Sequence, residues 1–84
     1  MSLRSESRAI AKPVRVALVG YGLGGQSFHA PLIAATSGLQ LTAIVTANLG
    51  RRAAAAREHP HAQLVESADH LWQDAKNYDL VVIT

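Results

Sequence analysis

The 84-residue chain contains no cysteine. Disulfides, thiolate metal sites and cysteine nucleophiles are therefore excluded. Aromatic residues make up only 5% of the chain, and Val, Leu, Ile and Ala supply most of the apolar mass. That aliphatic bias suits a parallel sheet covered by helices. No apolar run approaches the roughly 18 residues that a membrane helix needs, so no membrane partner is expected. Residues 1–12, MSLRSESRAIAK, lack the apolar centre of a secretory signal and read as a disordered leader. The expected location is cytoplasmic, where an absence of cysteine is unremarkable.

An excess of charge is also missing from the body of the chain. Arg4, Arg8 and Lys12 stand against Glu6 in the leader and account for the whole formal charge of +2. Beyond Pro13, Arg15, Arg51, Arg52, Arg57 and Lys76 are balanced by Glu58, Glu66, Asp69, Asp74 and Asp79. A neutral body offers no electrostatic footprint for a phosphate backbone, so no nucleic-acid partner is expected.

What is present is an alternation of strand and helix patterns, with residues 13–84 forming one folded part. Val14 to Val19 is a nearly continuous apolar run, as in a buried parallel strand. A glycine-rich turn, Gly20 to Gly25, leads into a helix expected over Gln26 to Thr36, with apolar positions at Phe28, Leu32, Ile33 and Ala35. Pro31 is tolerated there if the helix starts near Ser27. Leu39 to Thr46 is the second strand, and Gly50 to Glu58 the second helix, which ends before Pro60. Gln63 to Val65 is a short third strand. Ser67 caps a short helix through Trp72 and Asp74, and Leu80 to Thr84 is a fourth strand. This βαβαβαβ order predicts an α/β, Rossmann-type doubly wound parallel sheet with strand order 3-2-1-4. Because the pattern stops at the fourth strand, the chain reads as a truncated first portion of that fold.

Gly20-Tyr21-Gly22-Leu23-Gly24-Gly25 is a G-x-G-x-x-G motif. Alone it is a weak signal, but here it leaves a strand and opens a helix. Gly20 would make the tight turn, Gly22 would admit the pyrophosphate, and Gly25 would let helix and strand pack closely. Tyr21 is expected to cover the loop with its ring. An acid that would hold an adenosine ribose is expected at the end of the second strand in an NAD site. The sequence has Thr46-Ala47-Asn48-Leu49-Gly50-Arg51-Arg52 instead. Arginine offers phosphate a planar fork of donors. NADP is therefore the favoured cofactor over NAD, with Thr46, Asn48 and Arg51 or Arg52 around the 2′-phosphate. The competing reading makes both arginines solvated surface charges.

With those residues in view, the sequence resembles the glucose-fructose oxidoreductase, inositol dehydrogenase and rhizopine-catabolism family (Gfo/Idh/MocA). The matching stretches are VALVGYGLGGQSFHAPLI, LTAIVTANLGRRAAAA, SADHLW and YDLVVIT, and they cover Val14 to Thr84. Ser27-Phe28-His29-Ala30-Pro31-Leu32 is most similar to the NADP-dependent scyllo-inositol dehydrogenase branch. The resemblance implies a two-domain, homo-oligomeric oxidoreductase that transfers hydride between nicotinamide and a sugar, polyol or related alcohol or ketone. It implies cofactor contacts from Gly20, Tyr21, Gly22, Leu23, Gly24 and Gly25 at the pyrophosphate. Thr46, Asn48, Arg51 and Arg52 are implied at the ribose, and Thr84 at the mouth of the fourth strand. The family's catalytic Glu-Lys-Pro lysine and its later histidine fall outside these residues, so no catalytic residue is assigned. Two other classes remain open: a dinucleotide-sensing regulatory module, and a hydrolase or lyase with a recycled nicotinamide.

Other features read more plainly. His59 and His61 flank Pro60 in a solvated turn, and His70 is a surface residue, so no metal site is expected. His29 reads as structural, with an approach to the nicotinamide side as the second reading. Trp72 and Leu71 are both expected to bury the short third helix against the sheet.

Overall fold

A computed structural model describes residues 12–84; the leader, apart from Lys12, lies outside the described residues. Four parallel strands, β1 (Val14–Val19), β2 (Leu39–Val45), β3 (Gln63–Val65) and β4 (Leu80–Ile83), form one sheet in the order β3-β2-β1-β4. The expected doubly wound order is thus present.

Helix α1 (Ala30–Ala35) continues from a π-helical segment, Gly25–His29; α2 spans Leu49–Glu58 and α3 spans Ala68–Gln73. A 3-10 turn (Ala75–Asn77) links α3 to β4. The first helix therefore begins earlier than Ser27. Pro31 cannot donate and its ring would crowd the carbonyl one turn before it. The backbone widens at that point, and the Ala30 amide bonds to Gly25 O, five residues back.

The two faces of the sheet carry separate cores. Val16, Leu18, Leu41 and Ile44 point to the face covered by Ala30 and Ile33 of α1 and Ala55 of α2. Ala17, Ala43, Val45 and Val65 point to the other, where Leu71 of α3 closes the cluster. Helices on both faces explain the continuous apolar runs of the central strands.

The pairing of β1 with β2 contains an irregularity that is not expected from the sequence. Val16 pairs with Leu41, but Ala17 pairs with Ala43, so Thr42 is an extra residue with no partner on β1. Such bulges are rare between parallel strands. Leu41 and Ile44, three apart, consequently share one face.

Four of the apolar positions expected in the core lie outside it, the exposed Ala35 among them. Phe28 is 69% exposed, Leu32 66% and Trp72 50%. The widened turn hands the buried stripe of the first helix to Ala30 and Ile33. In α3, six residues long, Leu71 alone is buried.

The candidate dinucleotide cleft

The carboxyl ends of the strands surround a cleft of about 530 Å³. It is lined by the whole turn from Gly20 to Gly25, by Thr46, Ala47 and Arg51 after β2, by Glu66, Ser67 and Ala68 after β3, and by Thr84 after β4. It lies at the fork between β1 and β4, the point at which the strand order reverses direction, which is where open α/β sheets bind ligands.

The turn is built from contacts that only glycine permits at two positions. Gly20 has φ +105°, a region that side-chain-bearing residues rarely adopt. Its amide donates to Val45 O at 2.8 Å, pinning the exit of β1 to β2. A Cβ on Gly25 would lie 2.5 Å from the Gly20 carbonyl oxygen. The start of the first helix thus rests directly on the end of the first strand.

No side chain caps that helix start, and its first turn holds no acid. The other two helices are capped: Asn48 accepts from the Arg51 amide at 2.9 Å, and Ser67 accepts from the His70 amide at 3.4 Å. The uncapped amides at Gly24 and Gly25 suit an anion. The residues present therefore fit a dinucleotide pyrophosphate.

The ribose-side residues divide by role. Thr46 is buried; its amide donates to Val65 O and its carbonyl accepts from Arg52 Nη1 at 3.1 Å. Arg52 is committed to that backbone bond and does not line the cleft. Asn48 is committed to the cap. Arg51 is exposed and lines the cleft, its guanidinium 3.7–3.8 Å from where a Cβ of Gly22 would stand. The structure thus separates two adjacent arginines that the sequence leaves equivalent.

Thr84 donates its amide to Val19 O at 3.1 Å, and its Oγ1 lies 3.1 Å from a Cβ position on Gly24. Tyr21 differs from expectation. Its ring is buried in the core, 1% exposed, and its hydroxyl donates to Glu58. Only its main chain is left for a cofactor. His59, expected in solvent, packs edge-on against that ring at 6.0 Å. His29 ends the π-helical segment and does not line the cleft.

Glu66, Ser67 and Ala68 are not expected at the cleft from the sequence, which marks Ser67 only as a helix cap. The signal was available: an order of 3-2-1-4 puts the end of the third strand beside that of the second, so the residues after Val65 must border the same cleft. Among the described residues, no group of three or more His, Cys, Asp or Glu is placed to hold a metal ion, and no helix is long and apolar enough to cross a membrane.

Residues 14–84 match the Gfo/Idh/MocA family, described as an oxidoreductase family with an NAD-binding Rossmann fold. The chain belongs to this family. It is 40% identical over 70 residues to YdgJ, an uncharacterized oxidoreductase of Escherichia coli (strain K12), covering 83% of this chain and 19% of that protein. It is 31% identical over 71 residues to IolW of Bacillus subtilis (strain 168), a scyllo-inositol 2-dehydrogenase (NADP(+)), covering 84% and 19%. Among solved structures, yvaA of Bacillus subtilis, assigned as an oxidoreductase, superposes with a TM-score of 0.77 at 30% identity, covering 87% of this chain and 20% of that one. A protein of Klebsiella pneumoniae with the same assignment gives a TM-score of 0.70 at 29% identity, covering 88% and 20%. The chain therefore spans about a fifth of the length of these relatives.

Proposed function

We propose that the cleft binds NADP, with the pyrophosphate at the uncapped start of the first helix and the 2′-phosphate on Arg51. The observation that carries this reading is the glycine turn itself: an uncapped helix start packed onto the end of β1 at the fork with β4. Preference for the phosphorylated cofactor is supported by Arg51, whose side chain leans over Gly22, and by the absence of an acid from Thr46 to Arg52. A carboxylate after β2 would accept from ribose hydroxyls and repel a 2′-phosphate; a guanidinium does the opposite.

When bound, the nicotinamide would accept or donate hydride at a sugar, polyol or related alcohol or ketone. This part of the reading leans on IolW, which is named as an NADP(+)-linked scyllo-inositol 2-dehydrogenase. Residues 13–84 serve as the nucleotide-binding part, and the substrate and catalytic groups are held by other residues of a cytoplasmic homo-oligomer. The roles of this chain are to bind and orient: Gly22, Leu23, Gly24 and Gly25 at the pyrophosphate, Thr46 and Arg51 at the ribose, and Thr84 at the mouth of β4.

Parallel titrations with NADPH and NADH, followed by nicotinamide fluorescence, test the reading. NADPH binds more tightly, and Arg51→Asp shifts the preference toward NADH. Equal affinity for the two cofactors, or an unchanged ratio in the variant, would return Arg51 to the surface. A failure to bind either cofactor would reject the site.

A further inference from the structure

Glu58, the last residue of α2, gathers two groups from the two ends of the glycine turn. Its carboxylate accepts from the Tyr21 hydroxyl, and both of its oxygens lie 3.2 Å from Gln26 Nε2. Tyr21 immediately precedes Gly22 and Gln26 immediately follows Gly25. One carboxylate therefore grips the chain on either side of the four residues that meet the pyrophosphate in the proposed site.

We propose that Tyr21 and Glu58 are positioning residues for the dinucleotide turn, forming a strut that holds the amides of Gly22 to Gly25 in their binding arrangement. The inference rests on the cofactor reading above and adds to it how the turn is kept in shape.

Two features of the strut argue for a specific role. A segment with glycine at 20, 22, 24 and 25 has a large backbone entropy to lose, so it needs an anchor outside itself. Tyr21 is the one long side chain of the turn that is buried; Leu23 is 80% exposed. Secondly, an acid is electrostatically misplaced at a helix C-terminus, where the macrodipole is negative. Glu58 is nonetheless held ionised, its carboxyl drawn below the usual range by the bond from Tyr21 and then by that from Gln26. Burial, followed by the bond to Glu58, raises the Tyr21 phenol well above its ordinary value and keeps it a donor. The His59 ring, edge-on to Tyr21, fixes the aromatic plane from the neighbouring position.

An affinity effect follows from populations. A cofactor whose site is formed for only a fraction of the time binds more weakly by that fraction. Tyr21→Phe keeps the buried ring and removes only the hydroxyl; Glu58→Ala removes the acceptor; Glu58→Gln keeps an acceptor oxygen. Losing a hydrogen bond to a charged group is expected to weaken NADPH binding about tenfold in Tyr21→Phe and in Glu58→Ala, with no further loss in the double variant. Glu58→Gln recovers part of the affinity. Amide hydrogen exchange over Gly22 to Gly25, measured without cofactor, quickens in Tyr21→Phe and Glu58→Ala.

Variants that bind as tightly as the unmodified protein, or single effects that add in full, would overturn the strut. If Glu58→Ala does not fold, Tyr21→Phe alone decides. Should the unmodified protein bind no NADPH, the cofactor reading falls. The exchange rates then decide the strut by themselves, and unchanged rates over the turn reject it.

Discussion

Gly25 faces the carbonyl oxygen of Gly20 so closely that a methyl group on it would stand 2.5 Å from that atom. The obstacle is backbone, which cannot swing aside as a side-chain tip can. Thr84 Cγ2, 3.3 Å from the same position, blocks the other direction. Gly25→Ala should therefore push the first helix off β1. The expected loss of stability is about 1–3 kcal/mol, as for an overpacked core. NADPH binding is expected to fall further than stability does, because the displaced amides are those that would meet the pyrophosphate in the proposed site. Urea unfolding and a fluorescence titration on the same sample separate the two effects.

The two arginines after β2 are expected to respond differently. Arg51→Ala lowers NADPH affinity about tenfold, the worth of a hydrogen bond to a charged group, and leaves the melting temperature nearly unchanged. Arg52→Ala removes the donor to the Thr46 carbonyl and lowers stability by about 1 kcal/mol. Its effect on the NADPH to NADH ratio is small. A reversed pattern would mean that Arg52 swings out to the cofactor.

At the opposite end of the sheet, Arg15 and Asp79 form a two-pronged ion pair, with Nε and Nη2 each about 3 Å from a carboxylate oxygen. The Arg15 amide adds a third bond, at 2.9 Å. The side-chain bond from Arg15 is the main cause that draws the Asp79 carboxyl from 3.8 down to about 2. A depressed folded-state value means that the stabilisation is complete above about pH 4 and is lost as the pH falls toward 2. Asp79→Asn should lower the melting temperature at neutral pH and flatten its decline over that acid range. Thermal unfolding at several pH values is the check.

Leu71 and Trp72, neighbours in α3, should differ sharply. Leu71 is 1% exposed and closes one of the two cores, so Leu71→Ala is expected to cost about 2–5 kcal/mol. That is a large part of the stability of so small a fold. Trp72→Ala, at a half-exposed position, changes the unfolding midpoint little.

Much of this architecture was legible from local chemistry. The glycine turn declares itself because what demands glycine there is largely local: the positive φ of Gly20, and the contact of Gly25 with the Gly20 carbonyl five residues back. The limits of β1 and β3 follow equally from short apolar runs. The fates of Phe28, Leu32 and Trp72 were not legible, because a short helix has several faces and only its neighbours decide which is covered. The widened turn ahead of Pro31 shifted the first helix's buried stripe in a way that spacing alone does not register. Tyr21 was misread for a related reason: its partner, Glu58, lies 37 residues along the chain. Separating Arg51 from Arg52 likewise required knowing which side chain reaches back to the Thr46 carbonyl.

Thr42 gives β2 a residue of slack. The pairing of Leu39 to Leu41 with one half of β1, and of Ala43 to Val45 with the other, is joined through a position that neither half requires. Removing Thr42 would leave both runs of partners in phase and every side chain on its present face. The same excision within β1 would turn the strand over and send Val16 or Leu18 to the wrong side. The sheet can thus absorb a one-residue change of length in its second strand while the end that borders the cleft stays where it is.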